Sequence, residues 1–163
     1  MKIKILALGL ACLILVSSSF AESKMGTIQR EKSLLWSFTT YNPSHITATA
    51  MWNKMATDLD IGFFVFDGDE LMLIGIGAAE TELFETVTIG VYEDDEIYVM
   101  LTNWIGPSAK YQLNVHYTDS QDFDKASLQF IGEFSESEAS TSSMDTIAKK
   151  AITKLKRLKY NFR

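Results

Sequence analysis

Asp58 and Asp60, in the triplet Asp58-Leu59-Asp60 that enters the apolar run Ile61–Phe66, are the sharpest polar feature of the chain. A hard cation such as calcium takes six to eight oxygen ligands, and carboxylates on adjacent turns can supply several of them. Asp67, Asp69, Glu93, Asp94 and Asp95 extend the set if their turns meet at the same end of the domain. The pair is therefore a candidate calcium site, although its spacing follows no EF-hand loop. The competing reading has one Asp accepting hydrogen bonds from loop amides while the others are solvated turn residues.

Other catalytic chemistry is sparsely represented. His45 and His116 are the two histidines; the first lies in a turn near Pro43 and the second on the polar side of its strand. No G-x-S-x-G elbow or H-E-x-x-H helix is present, and no carboxylate pair is singled out for glycoside hydrolysis. The expectation is a chain without catalytic residues and without a cofactor other than calcium. Trp104, in Asn103-Trp104-Ile105-Gly106-Pro107, sits in a loop between strands. A loop Trp offers a rigid face for a sugar ring or a protein partner, and it can equally close the core as a lid. Trp36 and Trp52 alternate with polar neighbours and read as core.

A third feature is electrostatic. Residues 22–143 carry twenty acids against six bases, whereas residues 144–163 carry seven bases against Asp145 alone. Met144, Ile147, Ala148, Ala151, Ile152, Leu155 and Leu158 recur at helical spacing, so the tail reads as an amphipathic helix. Ser142 and Asp145 form a capping-box signature, and the late lysines suit the negative end of the helix dipole. Lys149, Lys150, Lys154, Lys156, Arg157 and Lys159 are candidates for contact with a partner or an anionic surface, or with the acidic body itself.

The start of the chain has the layout of a secretory signal over residues 1–21. Lys2 and Lys4 precede the apolar run Ile5–Val16, and Ser19-Phe20-Ala21 offers small residues for cleavage before Glu22. Cys12 is the sole cysteine and lies within that run. Its removal would exclude thiolate zinc sites and cysteine nucleophiles from the mature protein. The expected location is secreted or periplasmic, with no transmembrane segment in the mature chain.

Period-two alternation dominates the body. Leu34, Trp36 and Phe38 share one face; Ile46, Ala48, Ala50 and Trp52 share another, between Thr47 and Thr49. Ile61–Phe66 is apolar on both faces, as a central strand requires, and Asp67-Gly68 marks a hairpin into Leu71–Ile76. Val87, Ile89 and Val91 precede the acidic turn at Glu93, and Ile97, Val99 and Leu101 follow it. Tyr111, Leu113, Val115 and Tyr117 form the clearest strand, with Leu113 and Val115 expected inside and Asn114 outside. A further short strand is expected around Ala126–Ile131. Many short strands without crossover helices predict an all-β, antiparallel jelly-roll-like β-sandwich with a C-terminal amphipathic α-helix. The expected organisation is a signal at 1–21, an N-terminal segment at 22–33, the sandwich at 34–134, a Ser/Glu/Thr-rich linker at 135–143 and the basic helix at 144–163.

These residues resemble the bacterial pre-peptidase C-terminal domain, a secreted jelly-roll-like sandwich usually appended to exported enzymes. The resemblance rests on Ile46–Trp52, on Asp58-Leu59-Asp60 with Ile61–Phe66, on Glu85-Thr86-Val87-Thr88 and on Tyr111-Gln112-Leu113-Asn114-Val115. Glu93–Glu96 stands where that family has a small Gly-containing turn before Tyr98. The resemblance implies a non-catalytic accessory or binding protein. Two other readings stay open: a carbohydrate-binding module using Trp104, and a hydrolase with an unrecognised carboxylate pair.

Overall fold

The computed structural model describes residues 20–40, 44–68, 70–77, 83–91, 96–118, 127–135 and 143–161. Residues 1–19 of the expected 1–21 signal, the acids Asp69 and Glu93–Asp95, and most of the 135–143 linker lie outside them. Among the described residues, nine strands precede one helix: β1 (Phe20–Ile28), β2 (Lys32–Thr39), β3 (Ser44–Trp52), β4 (Asp58–Asp67), β5 (Glu70–Gly77), β6 (Phe84–Val91), β7 (Glu96–Ile105), β8 (Ala109–Thr118), β9 (Gln129–Ser135) and α1 (Ser143–Asn161).

The strands form two antiparallel sheets, ordered β1-β8-β3-β6 and β5-β4-β7-β2-β9. The pairing is nested: β4 with β5, β3 with β6, β2 with β7 and β1 with β8. A long hairpin rolled onto itself gives this order, which is the jelly-roll solution to closing antiparallel sheets face to face. Its tip is the Asp67–Glu70 turn, where Gly68 takes φ of 59°, a conformation that costs glycine little.

Period-two alternation delivers Leu34, Trp36, Phe38, Ile61, Phe63, Val99, Leu101, Leu113 and Val115 into the space between the sheets. Leu113 and Val115 are fully buried and Asn114, on the outer face, is half-buried. Trp36 and Trp52 are both core, and the Trp52 indole donates to the Thr57 carbonyl at 2.9 Å.

A second core lies on the far side of the five-stranded sheet. Leu35, Phe64, Leu71, Tyr98 and Met100 project outward there and meet Ala148, Ala151 and Ile152 of α1. Contact with the body was one of the options the sequence left open, and the structure shows it. The basic helix is docked, and apolar contact rather than charge attraction with the body seats it. The seated stripe is drawn from the apolar positions that recur at helical spacing. Ala148 and Ile152 are buried, Ile147 is half-buried, and the side chains of Leu155 and Leu158 lie outside the described residues.

Two boundaries move as well. The 22–33 segment, expected to precede the sandwich, supplies most of β1, and the final strand runs over Gln129–Ser135 instead of Ala126–Ile131. β1 lacks an apolar alternation because its inward positions are Glu22, Lys24 and Gly26, at a sheet edge where the inner face opens to solvent. Glu22 uses that position to accept from the Leu128 amide and to pair with Lys24.

Candidate binding surfaces

β4 carries Asp58 and Asp60 at its first turn of alternation, on the side of the sandwich covered by α1 farther along. Asp60 is 1% exposed and accepts the indole N–H of Trp104 at 2.5 Å. A bulge arranges this contact. Asp58 faces Ile105 and Leu59 faces Asn103, so Trp104 is the extra residue of β7, and it keeps the face of Tyr98 and Met100. Asp60 also shares a rung with Thr102, whose hydroxyl lies 2.9 Å from that of Ser33.

Trp104 is therefore a strand residue rather than a loop residue. It is half-buried against the second core, and its one polar group is used internally. Of the two roles open to it, Trp104 takes the one against the core, and its N–H satisfies a buried carboxylate.

Of the acids that could extend the calcium candidate, Asp67 alone lies among the described residues. Asp67 ends the strand that Asp58 begins, nine residues away, or roughly 30 Å along an extended chain. Glu96, at the start of β7, lies at that same distant end because β7 runs antiparallel to β4. Among the described residues, no three His, Cys, Asp or Glu side chains gather where a metal could sit.

The histidines are elsewhere again. His45 is in β3 and not in a turn, and His116 is in β8; both are exposed on the outer face of the four-stranded sheet. The whole thickness of the sandwich separates them from Asp58 and Asp60, so they form no acid–base pair with those carboxylates. Burial pushes the hydroxyls of Tyr98, Tyr111 and Tyr117 up, aided at Tyr98 by a hydrogen bond to Glu96. None of these phenols is a nucleophile near neutral pH.

The basic residues do converge. A groove of about 670 Å³ lies between α1 and the start of β5, with Lys149, Lys150, Lys154 and Arg157 on the helix side and Glu70 and Leu71 on the strand side. Positions 149, 150, 154 and 157 follow helical spacing, next to the stripe Ala148, Ala151 and Ile152 that seats the helix. Docking of the apolar stripe thus fixes the direction of the basic one. Lys156 and Lys159 have side chains outside the described residues.

Lys154 is held in place. Its ammonium donates to the Leu71 carbonyl at 2.9 Å. β5 is the end strand of its sheet, so this lysine covers a backbone acceptor that an edge would otherwise offer to another chain. Arg157 and Lys150 are exposed and Lys149 is half-exposed. The sequence identified these cations but gave no sign of the Leu71 carbonyl, because a free edge acceptor is a property of sheet order.

No protein-family model matches the chain, and no curated protein sequence matches it. Among solved structures it is similar to the crystal structure of Yersinia pseudotuberculosis-derived mitogen (YPM). The likeness covers 66% of this chain and 94% of that one, at 11% identity and a TM-score of 0.50. At that identity the shared property is the β-sandwich fold.

Proposed function

We propose that this protein is an exported, non-catalytic binding or accessory protein, akin to pre-peptidase C-terminal domains, whose groove between α1 and β5 receives an anionic partner. The observation that carries the reading is the convergence of Lys149, Lys150, Lys154 and Arg157 on one groove of an otherwise acidic chain. The signal-like start, with Lys2 and Lys4 before Ile5–Val16, supports export. No helix among the described residues is long and apolar enough to cross a membrane. Trp104 is half-buried with its N–H used internally, which favours the groove over a glycan reading based on that ring.

Binding of a soluble polyanion such as polyphosphate tests the proposal. Affinity should fall steeply between 0.1 M and 1 M salt, as the screening length shrinks from about 10 Å to about 3 Å. Lys149→Glu with Lys150→Glu and Arg157→Glu should abolish it while the melting temperature holds, since none of the three is buried. Absence of binding at low salt, or equal binding by the triple variant, would remove the groove from the account.

A further inference from the structure

We propose that the outer face of the four-stranded sheet is a self-association surface, on which a second copy of this chain packs. The face is made by alternate residues of β1, β8, β3 and β6, in register across all four strands. Ser23, Asn114, Thr49 and Thr86 form one rung, and Met25, Gln112, Met51 and Phe84 form the next. The helix covers the opposite sheet, so among the described residues nothing packs here.

Charge selects the occupant. Residues 22–143 hold twenty acids, yet the two in these four strands, Glu22 and Glu85, both point inward. The outward side chains are hydroxyls, amides, methionines, two histidines and Phe84, with Lys110 at the rim. Two copies of an acidic protein repel across most of their surface. Across this face they bring no carboxylates together.

The polar groups are also prepared for loss of water. Thr47 and Thr88 hydroxyls lie 2.9 Å apart, and those of Thr49 and Thr86 lie 3.1 Å apart. Gln112 donates to Asn114 at 3.1 Å and to Ser23 at 3.3 Å. Burying a hydroxyl or amide costs most when it is left without a partner, so a face whose groups bond sideways to one another is covered at small cost. The apolar contribution is at hand: Met25 is 75% exposed, Phe84 50% and Met51 40%.

Area limits the strength. Four strands of eight residues present roughly 500 Å² in plan, from strand spacing and rise. A standard stable interface buries about 800 Å² per partner. The dimer is therefore weak and reversible, an isologous pairing in which the same rungs meet across a two-fold axis.

Sedimentation equilibrium over a concentration series provides the test. The variants are compared in the same chain, so that any contribution from the apolar run Ile5–Val16 is common to all. The expected result is a monomer–dimer equilibrium that persists in 1 M salt and is weakened at least about tenfold by Met51→Glu, a difference of about 1.4 kcal/mol. Met25→Glu, at a more exposed site on the edge strand, should do the same with an unchanged melting temperature. A wild type that stays monomeric at millimolar concentration overturns the proposal, as does equal self-association by both variants. A monomer whose outer-face amide resonances move on addition of a neutral oligosaccharide would assign the face to a glycan instead. The groove on α1 plays no part in this experiment, so the two proposals stand or fall separately.

Discussion

Trp104 donates its indole N–H to the carboxylate of Asp60, joining a bulged residue of β7 to a residue of β4 that is 1% exposed. Removing the donor while keeping an aromatic ring leaves a desolvated carboxylate with less compensation. Trp104→Phe should therefore cost about 1–3 kcal/mol in urea unfolding. Asp60→Asn, which retains an oxygen acceptor, should cost less than Asp60→Leu. Equal stability of Trp104→Phe and wild type would mean that the contact contributes nothing.

Calcium should not act through Asp58 and Asp60. A ligand that binds the native state alone raises the melting temperature with its concentration. Any rise at millimolar calcium should survive Asp58→Asn combined with Asp60→Asn. Loss of such a rise in the double variant would establish the metal site at these two carboxylates.

The docked helix leads to a different expectation from that of a free tail. Ile152 is 2% exposed in the second core, so Ile152→Ala should destabilise the protein by about 2–5 kcal/mol. Truncation after Ser135 should expose Leu35, Phe64, Tyr98 and Met100, giving dye binding and a lower melting temperature. A truncated protein as stable as the whole chain would show that α1 rests on the sheet without contributing to it.

Alkali should unfold the protein. Tyr98, Tyr111 and Tyr117 are raised in the folded state, chiefly by burial. An acid whose folded pKa is raised contributes stability that is complete below its unfolded value and is lost as pH climbs towards the folded one. Stability should hold to about pH 10, the ordinary tyrosine value, and decline above it. Tyrosinate absorbance should show these three titrating late, together with unfolding. Six tyrosines titrating together near the ordinary value would contradict their burial.

Alternation made much of the sandwich legible. Leu34, Trp36 and Phe38, and Tyr111, Leu113, Val115 and Tyr117, announce which face turns inward because one face is buried and the other is not. β1 was hidden by the same rule: as an edge strand it spends inward positions on Glu22, Lys24 and Gly26. The helical period of α1 was equally plain, and so were its basic residues. Its seat was not, because Leu35, Phe64, Tyr98 and Met100 come from separate strands and meet only through sheet order. Trp104 read as a loop residue because Asn103, Gly106 and Pro107 surround it, whereas β7 runs on to Ile105.

The nested strand pairing sets a timetable for folding. The β4–β5 turn closes first and over the shortest loop, whereas Phe20 of β1 must wait for Tyr117 of β8, ninety-seven positions later. Loop closure of that length comes late and slowly, because its entropic cost must be met before the contacts form. On a ribosome, β1 emerges before the other described strands, yet its partner β8 is among the last of them to be made. Until then the inward side chains of β3 and β6 have a neighbour missing, and the partly built sheet offers the edge of β3 that β8 will occupy. The interval between those two events, rather than the stability of the finished sandwich, is when this chain is most exposed to pairing with the wrong strand.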